Sequence, residues 1–285
     1  MANSHLAQRM FYSLYCCFVD FHLISTRFIP HPINRTQVDG SVDPVRDAEL
    51  INLELAFADL AQVEKRLERV KKDRNADATE KSALEKVQAV LMDDKPARQA
   101  DLDEEEELSI KSLGLLTRKP IIYAANVEDS DLAEGNDMVE KLRAMAETEG
   151  AKLVIVSAQV ESELVDLPAE DRAEFLESLG VSLETTGLRK LVNEAYSLLN
   201  LSTYFTSGPT ETRAWTITRG WKAPQAAGVI HNDFERGFIR AETIGYQDLV
   251  ESGSAQQAKS KGLLRSEGKE YEVQEGDVME FLFNV

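Results

Sequence analysis

Six apolar residues, Leu53, Ala56, Leu60, Val63, Leu67 and Val70, recur in alternating steps of three and four. That spacing draws one narrow stripe along an α-helix, the seam of a coiled coil, with charged residues on the faces between. A strand cannot present it, because a strand changes face at every residue. Asp43-Pro44 stands upstream as a start signal, an oxygen-bearing N-cap followed by proline at the first helical position. The polar run 71–80 ends this helix, and Leu84, Val87 and Leu91 carry the seam onto a second one. Two helices joined by a short polar loop make an antiparallel hairpin. Such a hairpin either lies flat on its own domain or projects as an arm, and so narrow a seam favours the arm. The acidic run 101–107, DLDEEEE, reads as the first turn of another helix capped by Asp101 or Asp103. Carboxylates there complement the positive helix end, which accounts for them without a bound cation.

Downstream the period changes. Residues 121–126, IIYAAN, form an apolar run, 136–149 have helical spacing ending at Gly150, and 152–158, KLVIVSA, form a second apolar run. Strand, helix, strand at this distance is a βαβ unit and implies a parallel sheet. Further helices are expected around 169–179 and 187–199. From about residue 202, strands at 203–206, 213–218, 237–243, 271–273 and 278–284 alternate with turns, and helix-like stretches fall at 224–233 and 247–261. A small mixed sheet around a helix is a β-grasp pattern. The expected fold class is therefore α/β: a partial parallel sheet with an inserted helical hairpin, followed by a β-grasp domain. The expected division is a divergent leader at 1–35, the helical arm at 36–117, the sheet domain at 118–201 and the β-grasp domain at 202–285. The leader, aromatic and poor in acids, keeps neither period and reads as one strand or a disordered segment.

Composition narrows the partners. With 285 residues and 43% hydrophobic content the chain can bury a core, while 32 Lys and Arg against 50 Asp and Glu give a net charge of −18. Nearly all of that excess lies between residues 36 and 200. A field of this sign repels DNA and anionic lipid, so contact with RNA requires a local basic patch. No run of about 18 apolar residues exists to span a bilayer. Residues 10–19, MFYSLYCCFV, have the length of a signal-peptide core, but no small-residue cleavage site follows. The cytoplasm is the expected compartment, with chloroplast or mitochondrion as the alternative left open by the acid-poor leader. Cys16 and Cys17 are adjacent, which excludes a disulfide framework and points to a reducing compartment. Together with His22 and His31 they match no common metal spacing, so no metal site is expected.

The chemistry should sit where the parallel strands end, since ligands of doubly wound sheets bind beyond the carboxyl ends of strands. Asn126-Val127-Glu128-Asp129 lies at one such end and Ser157-Ala158 at the next. In P-loop GTPases the base is read by an Asn-Lys-x-Asp loop and by a Ser-Ala loop that offers a backbone N–H. Asn126 keeps the Asn, Val127 replaces the Lys, and Asp129 stands at the acid position; a one-residue shift would put Glu128 there instead. Asn, Asp and Ser are also ordinary turn residues.

Longer matches identify a family. Val42-Asp43-Pro44, Thr203-Tyr204-Phe205-Thr206, Arg213-Ala214-Trp215-Thr216-Ile217, Ala223-Pro224-Gln225-Ala226-Ala227-Gly228-Val229-Ile230-His231, Asp233-Phe234-Glu235, Gly237-Phe238-Ile239-Arg240-Ala241, Gly276-Asp277-Val278 and Phe283-Asn284-Val285 carry it. The chain resembles the YchF or Obg-like ATPases of the P-loop GTPase class, from about residue 38 to the last. The resemblance implies a nucleotide-binding domain, an inserted coiled-coil arm and a C-terminal TGS domain of β-grasp type. It implies ATP (or GTP) with Mg²⁺ as cofactor, base contacts from Asn126, Val127, Asp129, Ser157 and Ala158, and a ribosome or RNA partner met through the TGS domain and the arm. Arg213, Lys222, Arg236 and Arg240 are the expected RNA or ribosome contacts, near Trp215 and Trp221. Trp215, on a strand, is expected in the core. His231 has no Ser or Cys partner nearby and is expected to order its turn.

One departure stands out. The family's Gly-x-x-x-x-Gly-Lys-Ser/Thr loop, whose amides cradle phosphates, is missing; the one Gly-Lys pair is Gly268-Lys269, followed by Glu270. No Asp stands three places before any Gly, so the Asp-x-x-Gly sensor of the terminal phosphate is missing too. The expectation is a binding protein inactive as an ATPase in this form, with no catalytic residue to assign. The rival expectations are a fragment of a genuine ATPase truncated by a gene-model or splicing error, and a purely structural interaction module.

Overall fold

A computed structural model describes residues 22–27, by backbone alone, together with 42–73, 75–208 and 211–284. Expectations for the rest of the leader, including Cys16, Cys17 and His31, lie outside the described residues. Two compact units divide between Ala195 and Tyr196.

In the first unit, strands β1 (His22–Arg27), β2 (Ile121–Asn126) and β3 (Lys152–Val156) form a parallel sheet in that order. All six residues of β2 are buried, as a central parallel strand requires. Helix α1 (Pro44–Lys72) begins as the sequence announces, with Asp43 accepting hydrogen bonds from the amides of Val45 and Arg46. It then serves two cores in succession. Ala48 and Ile51 pack with Ile121, Tyr123, Ala125 and Val127 of the sheet region and with Val139, Leu142 and Ala146 of α4 (Asp137–Glu149). Farther along, Ala56, Val63, Leu67 and Val70 bury against Ala83, Leu84, Val87 and Leu91 of α2 (Ala78–Met92). The heptad seam thus builds a hairpin with its own core.

Helix α3 (Glu104–Ile110) packs along α2. Asp103 is its cap, in a reciprocal box with Glu106. Glu106 also turns back onto α2, where Ser82 Oγ and Lys86 Nζ each donate to it at 2.7 Å. Those donors, Lys86 first and Ser82 next, hold its carboxyl down at about 2. A carboxyl depressed in the folded state stabilises the fold above its unfolded value, near 4.3, and loses that contribution as pH falls toward 2. Glu106→Gln is therefore expected to flatten the acid limb of stability between about pH 4.5 and 2.5, relative to the unsubstituted chain, in urea unfolding followed by helix signal. An unchanged acid limb would show that this carboxylate is not held by its partners.

A second lock lies at the base of the hairpin. Asp59, fully buried on α1, accepts hydrogen bonds from Leu116 N, Thr117 N and Thr117 Oγ1, each at 2.7 Å, and Thr117 Oγ1 in turn accepts from Ala97 N at 2.9 Å. Beyond β3 come α5 (Ala158–Asp166), which the periodicity did not announce, then α6 (Ala169–Ser178) and α7 (Gly187–Leu198). Gly187 is needed there: a Cβ would stand 2.7 Å from Val156 Cα.

The second unit is a mixed five-stranded sheet wrapped on a helix. Strands β4 (Leu201–Ser207), β5 (Thr212–Thr218), β6 (Phe238–Gly245), β7 (Arg265–Glu267) and β8 (Asp277–Phe283) stand in the order β5-β4-β8-β6-β7. Helix α8 (Ala223–Ile230) lays Ala223, Ala226 and Ala227 against Tyr204, Ile217, Ala241 and Met279. Three small side chains let its backbone come close to the sheet, the β-grasp arrangement. The short α9 (Asn232–Arg236) follows, its start ordered by His231, whose Nδ1 accepts from Asp233 N at 3.2 Å. Two strand expectations need correction. Residues 271–273 form no strand, only a single bridge between Lys222 and Glu272, and β7 lies instead at Arg265–Glu267, where no alternation of apolar residues marks it. The helical stretch at 247–261 is two helices, α10 (Tyr246–Ser252) and α11 (Ala255–Ser260), parted at Gly253, whose φ of +75° glycine tolerates.

Candidate functional site

The ends of β2 and β3 bring four of the five expected base-site residues into one turn. Asn126, nearly buried, accepts a hydrogen bond at Oδ1 from Ala158 N at 2.9 Å. Val127 N donates to Val156 O at 2.8 Å, and the Val127 side chain is fully buried in the sheet core. Ser157 caps α5, its hydroxyl accepting from Val160 N at 3.4 Å. Asp129 sits apart, exposed on the rim with Glu128, opening a 3-10 turn in which its Oδ1 accepts from Ser130 N at 2.9 Å. Val127 therefore offers a ligand its backbone alone, and the Ala158 amide is already engaged by Asn126. A base entering this turn must exchange with that bond.

Two buried polar contacts brace this unit, one at the amino end of the sheet and one beside the turn, and neither was singled out from sequence. Tyr123, on β2, donates its hydroxyl to Glu149 Oε2 at 2.8 Å and accepts from Asn52 Nδ2 at 2.8 Å, while Arg98 lies 3.4 Å from the same carboxylate. Burial pushes the Tyr123 phenol well above its ordinary value. Glu161, one turn into α5, accepts from Leu188 N at the start of α7 at 2.8 Å, and burial raises its carboxyl. Both contacts join segments far apart in sequence, so no local pattern betrays them.

At the base end of a nucleotide the turn offers the Asn126 carboxamide and the Ala158 amide, which are bonded to each other. For a triphosphate with Mg²⁺ the sequence supplies no Gly-x-x-x-x-Gly-Lys loop, and the described residues contain no cluster of three or more His, Cys, Asp or Glu able to hold a metal.

The four expected RNA contacts do not share one surface. Trp215 pairs with Tyr204 and Ala241 with Phe281, so these residues face α8. Arg213 has the parity of Trp215 and lies on that side, its guanidinium 4.1 Å from the Trp215 ring centroid. Arg240, adjacent to Ala241, points to the opposite face and pairs with Glu242 at 3.7 Å. Lys222 caps α8 and pairs with Glu270, and Arg236 is exposed at the end of α9. Trp215 is half-buried at the edge of the core rather than inside it, because its Nε1 reaches Thr206 Oγ1 at 2.9 Å.

The chain is 49% identical over 258 residues to the protein named ribosome-binding ATPase YchF of Bacillus subtilis, which covers 88% of this chain and 70% of that one. It belongs to the YchF/Obg-like ATPase family. Obg-like ATPase 1 of Caenorhabditis elegans is 42% identical over 258 residues, covering 87% of this chain and 64% of its own. The solved YchF GTPase of Schizosaccharomyces pombe superposes with a TM-score of 0.70 at 34% identity, over 92% of this chain and 71% of that one. A family model, YchF-GTPase_C, described as a protein of unknown function, matches residues 201–284, the five-stranded unit. No helix among the described residues is long and apolar enough to cross a membrane.

Against this YchF framework one basic surface escaped the sequence reading. Lys65, Arg69, Lys71 and Lys72 are all exposed over the last two turns of α1, at the far end of the hairpin. Lys71 and Lys72 have only loose acidic neighbours, Glu85 at 3.9 Å and Glu68 at 3.8 Å. The run KRLERVKK at 65–72 was legible as a signal, but averaging charge over the acidic middle of the chain concealed it.

Proposed function

We propose that this polypeptide is a ribosome-docking member of the YchF family that retains the base-reading turn and does not hydrolyse nucleotide. What carries the reading is a contrast within one chain. Asn126 and Ala158 meet at the strand ends where the resemblance expects a base-reading turn, on a fold shared with proteins named ribosome-binding ATPases, while the sequence holds no phosphate loop. Adenine is favoured over guanine by the resemblance, since Val127 stands where a guanine-reading loop carries Lys. Without phosphate donors, nucleotide binding is weak and Mg²⁺ adds little to it. One cationic region, the arm tip around Lys65, Arg69, Lys71 and Lys72, supplies the local patch that an acidic chain needs for RNA, with Arg213, Lys222 and Arg236 of the C-terminal unit as dispersed further contacts. The cytoplasm is the compartment that matches such a partner.

Co-sedimentation with ribosomes tests the docking. Changing Lys65, Arg69, Lys71 and Lys72 to Glu reverses four exposed charges, and the pelleted fraction is expected to fall by about tenfold at low salt, since phosphate contacts act through counterion release. The salt sensitivity of pelleting should fall with it. Pelleting that is unchanged in this variant and in one carrying Arg213, Lys222 and Arg236 as Glu would remove the proposal.

A further inference from the structure

Strand β5 is an open edge, and its chemistry points to an occupant. Among the described residues it pairs with β4 alone and ends the strand order of its sheet. The pattern of that pairing fixes which backbone groups face outward. Arg219 N donates to Asn200 O at 2.7 Å and Gly208 N to Glu211 O at 2.9 Å, one just beyond each end of the strand. Residues opposite each other in an antiparallel pair alternate between bonded and non-bonded. The inward-bonded positions are therefore the odd-numbered ones, and Thr212, Ala214 and Thr216 aim N–H and C=O away from the sheet. All three are exposed.

Natural sheets guard such edges with charged side chains, above all lysine, with proline, a bulge or a covering segment. Strand β5, TRAWTIT, carries a single charge, Arg213, and neither Lys nor Pro, and its register with β4 is unbroken over seven residues. Its flank is instead prepared for a ligand. Arg213 is held over the Trp215 ring, and that ring is fixed by its bond to Thr206. Arg213 and Arg219 stand on and just past the strand, with Glu211 before it and Lys222 engaged by Glu270, in a chain of net charge −18.

We propose that β5 receives an extended acidic peptide segment of a partner protein as a sixth strand, by β-augmentation. Three outward amides and three outward carbonyls at strand spacing call for alternating acceptors and donors, which a peptide backbone supplies. A nucleic-acid backbone has no N–H to give the carbonyls. A second copy of this chain has the matching edge, but two bodies each carrying −18 repel one another. Acidic residues at both ends of the peptide meet Arg213 and Arg219. The docking shares Arg213 with the ribosome reading above, but its backbone pairing at Thr212, Ala214 and Thr216 is read by hydrogen exchange without ribosomes, so the two can fail separately.

The test uses the full chain and the peptide acetyl-Glu-Val-Thr-Val-Thr-Val-Glu-amide, with a Lys-ended version as control. Hydrogen exchange read residue by residue is expected to slow by about tenfold at Thr212, Ala214 and Thr216 when the acidic peptide saturates, and the Lys-ended peptide to bind about tenfold more weakly. Ala214→Pro removes an outward N–H while leaving the β4 pairing intact, and should abolish that protection. Arg213→Glu, a surface change that keeps the strand whole, should reverse the preference between the two peptides. No slowing at those three amides, equal affinity for both peptides, or a preference untouched by Arg213→Glu would each overturn the proposal. So would protection of the same amides by oligouridylate, or a concentration-dependent dimer that Ala214→Pro dissolves.

Discussion

Asp59→Ala is expected to destabilise the first unit by about 3–5 kcal/mol, among the largest effects of any single substitution in this chain. The carboxylate is fully buried and is the acceptor for three donors: two backbone amides and a hydroxyl of the segment returning from the hairpin to the sheet. Alanine removes the acceptor of all three, leaving the Thr117 amide buried without a partner and the Leu116 amide half-buried, while the Thr117 hydroxyl keeps only its bond from Ala97 N; each buried orphan costs roughly 1–3 kcal/mol, less than additively. Asp59→Asn keeps one good acceptor and should cost about half as much. Residue-resolved hydrogen exchange is the suitable readout in a chain of two units, because a single melting curve mixes them. Protection is expected to fall most at Leu116 and Thr117 and along the adjoining part of α1. Equal protection in Asp59→Ala and the unsubstituted chain would mean that the hairpin base is held by its apolar core alone.

The second large effect is on turnover. Purified, contaminant-free chain supplied with labelled ATP and Mg²⁺ is expected to release phosphate at the buffer rate, while a full-length YchF relative under the same conditions turns over. Phosphoryl transfer needs little covalent chemistry from a protein; it needs donors and a metal placed around the transferring group. Losing one such donor commonly costs about 10²–10³ in rate, and this sequence lacks the loop that provides several. A rate within about tenfold of the relative's would end the proposal of a non-hydrolysing docking protein. Fluorescent ATP analogues should bind weakly.

Local signals proved strongest where one element fixes its own structure. The seam of α1, its Asp43 cap and a cap at Asp101 or Asp103 were readable because helical spacing and cap chemistry act within four residues, and the structure decided for Asp103. Strand β2 was readable because a run of buried apolar residues bounded by Pro120 and Asn126 has few other uses. The weak points were equally physical. Strand β7 is three residues of polar character that exist through pairing with β6, and 271–273 has strand-like residues but only one partner bridge. The division of α1 between two cores was invisible, since one continuous stripe serves both.

For the candidate site, sequence by itself determined the chemistry on offer: Asn126 and Ala158 at adjacent strand ends, cations along 65–72 and 212–222, and no phosphate loop. These follow from residue identity and short spacing. Tertiary structure alone decided who meets whom. It spent the Ala158 amide on Asn126, put Arg213 and Arg240 on opposite faces, and buried Asp59 against Thr117. It also left Thr212, Ala214 and Thr216 facing outward with open backbone groups. Strand register and long-range hydrogen bonds set those outcomes, and both depend on partners tens of residues away that no local window of the sequence contains.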